Sequence, residues 1–143
     1  MANEAQVRIS LQILKDAMDY RSQPTVFHAD VSGTKGPSPG AITVNPGGTD
    51  VDLSELILPG LCRIKNLDLN HFLEYGIFDP ESGVFFPLGE ILPKEFYVIR
   101  LSRNLFQEFG TGTGTADIGA GTNRLRLKSS AHAIDALVEA FEA

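Results

Sequence analysis

Three histidines and one cysteine are the side chains of this sequence best suited to bind a transition metal. They stand at His28, His71, His132 and Cys62. No two of them are separated by two or by four residues, the intervals that bring ligands together on one strand or one helical turn. The sequence therefore predicts no metal site and no cofactor. Each histidine is expected to be a surface or half-buried strand residue, and Cys62 a small hydrophobic residue of the core.

Carboxylates are the second group of side chains that could do chemistry. The chain has 18 of them, and many stand in or beside predicted turns, where bonding to the backbone accounts for them. These are Asp50, Asp52, Glu74, Asp79, Glu81, Glu90 and Glu95. No nucleophile motif accompanies them, so we predict no catalytic residue and a protein that is not an enzyme. A small hydrolase whose carboxylates converge only in the folded chain is an alternative that spacing leaves open.

Gly and Thr alternate over residues 110–115, which suggests a phosphate-binding loop. No Lys-Ser or Lys-Thr follows and the GxGxxG spacing is absent, so nucleotide binding is not expected. Residues 110–122 hold five glycines and are predicted to form a long loop. Because such a loop can become ordered against a neighbouring subunit, Thr111, Thr113 and Ile118 are candidate interface residues.

Basic side chains recur at alternate positions in two segments. Arg63 and Lys65 share one predicted strand, and Arg124, Arg126 and Lys128 share another. Alternate positions of a strand lie on one face. There are two possibilities for each face: it is solvated, or it meets an acidic patch on another subunit. On the second possibility, the five residues are candidate interface residues. In the first case the balancing acidic residues would be Asp135, Glu139 and Glu142 of the C-terminal segment, if it pairs alongside. Nucleic acid is not an expected partner, because no aromatic residues are interleaved with the basic ones.

The composition is that of one globular domain, and we predict a single domain over residues 1–143. Of the 143 residues, 43% are hydrophobic and 21% are charged, and a chain of this size can bury a core without disulfides. The net charge of −6 opposes non-specific attraction to nucleic acid and to anionic membranes. No apolar run is long enough to cross a bilayer and no signal peptide is recognisable, so we expect a soluble protein made in the cytoplasm.

Two strands are predicted in the N-terminal part of the chain. Apolar and polar residues alternate from Val7 to Ile13, the pattern of a strand with one face buried and the other in water. The alternation returns over residues 25–31. Residues 1–6 are a candidate N-terminal arm. Residues 33–40 contain three Gly and two Pro and are predicted to form a long loop.

Further short strands, separated by turns, are predicted along the rest of the chain. Residues 41–44 and 51–53 are expected to pair as one hairpin, and residues 71–78 and 84–88 as another. The segment 134–141 suits a helix or a strand, and we favour a strand because antiparallel neighbours offer it a partner. The predicted fold is all-β, an antiparallel β-sandwich that is jelly-roll-like and has long Gly-rich loops.

The middle of the chain resembles a known family in its order of strands and turns. A strand ends in Asn-Leu-Asp, an aromatic strand ends near Tyr-Gly, a return strand carries an aromatic residue before Pro, and a turn leads into an apolar strand. These elements occupy residues 59–68, 71–76, 85–90, 92–95 and 98–101. In this pattern the chain resembles small β-sandwich virion proteins of tailed bacteriophages, of the capsid decoration or cement type, over about residues 41–141. The family turn is Pro-Gly-Glu, whereas this chain has Pro93-Lys94-Glu95.

The resemblance implies a non-enzymatic virion structural protein that is made in the host cytoplasm. It would bind and stabilise the major capsid shell and contact neighbouring copies of itself as a homo-oligomer. Many weak contacts can together give firm attachment, and the candidate arm and the two long loops would supply reach. The alternatives are a tail, neck or fibre-associated virion protein and a carbohydrate-binding adhesin. The aromatic residues available to an adhesin are Tyr20, Tyr75 and Phe106.

Overall fold

A computed structural model of the chain describes residues 5–31, 36–56, 59–102, 105 and 123–142. All regular elements in these ranges are β-strands, and every strand pair is antiparallel. The predicted all-β antiparallel fold is therefore confirmed. The described ranges contain no helix that is long and apolar enough to span a membrane. The chain divides into two compact units, essentially residues 1–32 and 33–142, and the assignment of both to one domain stays a prediction.

The first unit is a long β-hairpin, which we call the N-terminal hairpin (residues 5–29). Its strands are β1 (Ala5–Ile9), β2 (Gln12–Lys15), β3 (Met18–Arg21) and β4 (Thr25–Ala29). β1 pairs with β4 and β2 pairs with β3. At the tip, Asp16 has a φ of 51°, in the left-handed region that Asp tolerates better than most residues. The two predicted strands are present as β1–β2 and β4, and β3 was not predicted.

The second unit is a sandwich of two four-stranded sheets. The first sheet has the order β10-β7-β12-β5 and the second the order β6-β11-β8-β9. The strands are β5 (Ser38–Val44), β6 (Thr49–Asp50), β7 (Pro59–Asn66), β8 (Leu73–Asp79), β9 (Val84–Ile91), β10 (Phe96–Arg100), β11 (Arg124–Ser129) and β12 (Ile134–Glu142). The sandwich part of the prediction is confirmed. Residues 110–122 lie outside the described ranges.

The core of the sandwich is built from alternate residues of strands in both sheets. Ile64 and Val138 of the first sheet and Leu73 and Leu127 of the second are fully buried in one hydrophobic cluster. Cys62 belongs to the same cluster, as predicted. Burial, together with the nearby Glu139 carboxylate, raises the pKa of the Cys62 thiol to about 12. The thiol is therefore protonated at neutral pH and behaves as a small apolar side chain.

The C-terminal segment is strand β12, which confirms the choice of strand over helix. It pairs with β5 on one side and with β7 on the other. Its even-numbered residues from Ile134 to Glu142 are all buried, whereas the odd-numbered ones are exposed or half-buried. A central position in the sheet satisfies the backbone of β12 on both sides, and this tertiary pairing outweighs the good helix propensity of its Ala, Leu and Glu residues.

Two predictions around β5 were wrong. Residues 41–44 and 51–53 do not form a hairpin, because β5 pairs with β12 whereas β6 pairs with β11 of the other sheet. The turn at Asn45–Gly48 carries the chain between the sheets, and the Gly48 N–H donates to the Asn45 carbonyl. The predicted loop 33–40 ends early, because Ser38–Gly40 pair with β12. β5 is an edge strand of its sheet, where Pro39 is tolerated.

The hairpin predicted from residues 71–78 and 84–88 is present as β8 and β9. Its pairing is irregular next to Gly76, where a Cβ atom would collide with the Phe86 carbonyl oxygen. The turn predicted at residues 92–95 is also present, and the Glu95 N–H donates to the Leu92 carbonyl over 3.0 Å. Lys94 occupies this turn with a φ of 66°, a conformation that glycine adopts more readily than a residue with a side chain.

Candidate functional site

One face of the N-terminal hairpin is mainly apolar, and Lys15, opposite Met18, is the charged residue on it at the tip. Cross-strand partners share a face of a sheet, and the register pairs Val7 with Phe27 and Ile13 with Tyr20. The register shifts by one residue between the two strand pairs, and the extra residue is in the return strand, between Ser22 and Thr25. The alternation of the first strand therefore continues through the shift. We define the apolar face by its larger apolar side chains, Val7, Ile9, Leu11, Ile13, Met18, Tyr20 and Phe27.

Most of this apolar face is open to solvent. Its exposed side chains range from 40% exposed (Ile13 and Phe27) to 56% exposed (Met18), and Leu11 is 53% exposed. Val7, near the open end of the hairpin, is the buried exception. Single exposed hydrophobic residues are ordinary, but a row of them on one ribbon is typical of a binding surface.

The opposite face of the hairpin is mainly polar. Arg21 and Asp19 form an ion pair of 3.0 Å there, and both side chains are more than half exposed. Three basic and two acidic residues over 5–29 give the hairpin a net charge of +1, whereas the whole chain carries −6. The hairpin is therefore amphipathic and carries little net charge, so a protein partner of either sign can approach it without strong repulsion.

The basic residues of β11 project from one face, as predicted, but two of them have partners within the sandwich. Arg124 Nη1 lies 3.0 Å from Asp50 Oδ2, and Arg126 Nε lies 2.6 Å from Asp50 Oδ1. The Arg126 guanidinium also stacks on the Phe78 ring at 3.2 Å. Burial alone would raise the pKa of Asp50, but the hydrogen bonds from Arg126 and Arg124 outweigh it and hold that pKa below 3.8. Lys128 is half-buried opposite Glu74.

The basic residues of β7 lie on the outer face of the other sheet. Arg63 Nη1 is 2.9 Å from Glu139 Oε2, and its guanidinium stands over the Phe96 ring. Lys65 is half-buried on the same face. The C-terminal segment thus supplies a carboxylate to Arg63. It does not balance the positive charge of the basic residues of β11, because β12 pairs in the other sheet. This differs from the hypothesis that acidic residues of the C-terminal segment balance them.

The predicted interface role of these five basic residues stays a prediction. At least three of them have internal partners, which leaves less unbalanced positive charge than the sequence suggested. Thr111, Thr113 and Ile118 lie outside the described residues. Of the aromatic candidates for sugar binding, Tyr20 is exposed on the apolar face and Tyr75 packs against the core. Phe106 also lies outside the described residues.

The structure groups two histidines that the sequence did not connect. His28 is an exposed residue of β4, as expected, but His71 and His132 stand in connections between strands. Those connections bring both rings beside Asp68, within 4.8 Å measured between possible metal-ligand atoms. The sequence feature that could have located His71 is the turn Asn66-Leu-Asp-Leu-Asn70, because the hydrogen bonds of this turn fix the position of His71. The proximity of His71 and His132 depends on the order of the strands in the sheets, which cannot be inferred from the spacing of residues in the sequence.

The apolar face of the N-terminal hairpin is the strongest candidate for a functional surface in the described part of the chain. It combines exposure, continuity and a small net charge, and an extended apolar surface of this kind is suited to binding another protein. No protein-family model matches the chain, and neither a curated protein nor a solved structure does.

Proposed function

We propose that this chain is a non-enzymatic virion structural protein of the capsid decoration type, which attaches to the major capsid shell through the apolar face of its N-terminal hairpin. The observation that carries the proposal is the row of exposed apolar side chains on one side of a two-stranded ribbon. The resemblance of residues 41–141 to small phage sandwich proteins supports the choice of the capsid shell as the partner.

The physical case for attachment begins with the stability of the hairpin. A two-stranded hairpin is at best marginally stable in water unless its apolar face packs on another layer. Each large apolar side chain that leaves water contributes roughly 1.5–3 kcal/mol when it is buried completely. Covering the apolar face would therefore both order the hairpin and hold the protein on its partner.

The sandwich has a different part in this proposal. Its core is closed and several of its surface charges are paired internally, so it supplies a rigid body to which the hairpin is joined. A shell offers many equivalent sites, and contacts between neighbouring copies would add to the contact with the shell. Individually weak interactions would then add up to firm attachment.

Co-sedimentation with shells of the major capsid protein tests the proposal. The shells are taken from the phage that encodes the chain, stripped of accessory proteins and mixed with purified protein. We expect saturable binding by the natural chain and at least about tenfold weaker binding by a Leu11→Gln/Ile13→Gln variant, since each substitution removes roughly 1 kcal/mol or more of apolar contact.

The matched control is Leu14→Gln. Leu14 is 63% exposed on the same hairpin but lies on the face opposite Leu11. Binding that resists the Leu14 substitution and weakens with the paired substitution supports the proposal. Equal weakening by both, or no binding by the natural chain, would overturn it. A copy number in purified virions far below that of the capsid protein would instead support the tail or neck alternative.

A further inference from the structure

A cluster of one carboxylate and two imidazoles lies at one end of the sandwich. Asp68 and His71 belong to the connection from β7 to β8, and His132 belongs to the connection from β11 to β12. Asp68 Oδ1 and His71 Nδ1 are 3.1 Å apart. The His71 and His132 rings are in edge contact, with centroids 4.2 Å apart and planes 71° from parallel. One possible ligand atom from each of the three residues lies within 4.8 Å of the other two.

The first connection is held in place by buried hydrogen bonds. The side-chain amide of Asn66, which is fully buried, donates to the His71 and Ile91 carbonyls, and its oxygen accepts from the Asp68 N–H. Asp68 Oδ1 in turn accepts from the Asn70 and His71 N–H groups. These bonds set the positions of Asp68 and His71 before any ligand arrives, which is the condition for a preorganised site.

The second connection is fixed to the first. The hydroxyl of Ser129, a buried residue, donates to the His132 carbonyl over 2.6 Å, and the Ser130 N–H donates to the Phe72 carbonyl. The Leu67 N–H donates to the Asp135 carbonyl. The His132 side chain is itself exposed, so it can turn towards the other two ligands without disturbing the core.

We propose that Asp68, His71 and His132 bind a divalent transition-metal ion of the Zn²⁺ type. Two imidazole nitrogens and one carboxylate oxygen are a donor set that suits Zn²⁺ and not Mg²⁺ or Ca²⁺, which prefer all-oxygen ligands. Ligand atoms of a tetrahedral zinc site lie about 3.3 Å apart, and the possible ligand atoms of these three residues already lie within 4.8 Å of one another. The carboxylate has two oxygens, so it can keep its backbone bonds and also bind the cation.

The bound ion would link the two connections that cross between the sheets. β7 and β12 belong to one sheet and β8 and β11 to the other, so a metal held by both connections joins segments far apart in the sequence. Because the three ligands come together only in the folded chain, binding of the ion stabilises the fold. Three protein ligands leave a fourth position for water or for a ligand from outside the chain. This inference is independent of the function proposed above.

Zinc titration of the purified chain, with a chromogenic chelator as competitor, tests the proposal. We expect one Zn²⁺ per chain. His132→Ala is expected to weaken the affinity for Zn²⁺ by at least about 10- to 100-fold. Mutating a residue that only supports a metal ligand already weakens metal binding by about that much. The matched control is His28→Ala, which removes a histidine from the hairpin and is expected to leave the affinity unchanged. His132 is exposed, so its replacement does not open a hole in the core.

Thermal unfolding gives a second readout that does not depend on the chelator. Zn²⁺ is expected to raise the unfolding temperature of the natural chain and of His28→Ala but not of His132→Ala, because a ligand that binds only the folded state stabilises it. Mg²⁺ is expected to have no such effect. The proposal is overturned if the natural chain binds no zinc, if His132→Ala binds it as tightly as the natural chain, or if Mg²⁺ raises the unfolding temperature equally.

Discussion

The N-terminal hairpin and strand β11 carry the same alternation of apolar and polar residues, yet they differ in burial. In β11, Leu125 and Leu127 are almost completely buried between two sheets. In the hairpin, Leu11 and Ile13 alternate just as regularly but are 53% and 40% exposed. Alternation therefore determines which side of a strand is apolar, whereas burial requires a second layer. We interpret the exposed face of the hairpin as a surface whose second layer is another protein.

The largest expected difference between the two regions is in the cost of removing a leucine. Leu127→Ala is expected to lower the free energy of unfolding by about 3 kcal/mol, because it leaves a cavity in a closed core. Leu11→Ala is expected to change it by less than about 0.5 kcal/mol, because the side chain already meets water. Denaturant unfolding of the isolated chain measures both. Equal losses would mean that the hairpin face is packed in the free protein.

A buried polar side chain of the sandwich has the next largest expected effect. Asn66→Ala is expected to lower the free energy of unfolding by about 2–3 kcal/mol, since it removes the buried side-chain amide that bonds to the His71 and Ile91 carbonyls and to the Asp68 N–H. Asn70→Ala, at an exposed position of the same connection, serves as the control in the same denaturant experiment. A small effect at Asn66 would contradict its assigned role in positioning Asp68 and His71.

An ion pair of the sandwich and one of the hairpin offer a third comparison. Asp50→Asn is expected to lower the free energy of unfolding by about 1–2 kcal/mol at neutral pH, because Asp50 is bound by two arginines. Asp19→Asn, on the exposed hairpin, is expected to lower it by less than about 0.5 kcal/mol. The folded-state pKa of Asp50 is lowered below its ordinary value of 3.8. The stabilisation is therefore complete above that pH and is lost as the pH falls through the lower, folded-state pKa.

Unfolding of the Asp50 variant at two pH values checks the sign of this effect. The difference between the natural chain and Asp50→Asn is expected to be largest near pH 7 and to shrink at about pH 3 and below. A difference that stays constant across this range would show that the carboxylate charge is not what stabilises the natural chain.

The smallest expected effect is a gain in stability at the turn before β10. Lys94 has a φ of 66°, which costs a residue with a side chain about 1 kcal/mol. Lys94→Gly is therefore expected to raise the free energy of unfolding by up to about 1 kcal/mol. Lys94→Ala removes the charge but keeps the Cβ atom, and is expected to give no gain. Loss of stability with Gly would mean that the lysine side chain stabilises the turn more than its backbone conformation costs.

The local features of the fold were predictable from the sequence, because they depend on neighbouring residues. Period-two alternation identified β1, β7 and β11, and the hairpin predicted from residues 71–78 and 84–88 is β8 and β9. The turn at residues 92–95 was also predicted. In each case, residues close in the chain determine the conformation.

Features that depend on strand order were not predictable in the same way. Nothing in residues 41–53 shows that β5 and β6 belong to different sheets, and no spacing connects His71 with His132. The exposure of the apolar face was missed for a related reason. Alternation in a strand identifies its apolar side but does not show which other part of the structure covers that side. The residues of the apolar face could therefore be identified from the sequence pattern. That they are exposed to solvent could be learned only from the three-dimensional structure.

Amide hydrogen exchange of the protein, free and bound to capsid shells, tests the central claim most directly. We expect amides of residues 5–29 to exchange rapidly in the free chain and to become strongly protected on the shell, because a marginal hairpin gains its second layer there. Amides of the sandwich core are expected to be protected in both states. New protection confined to the sandwich, with the hairpin unchanged by binding, would contradict the account.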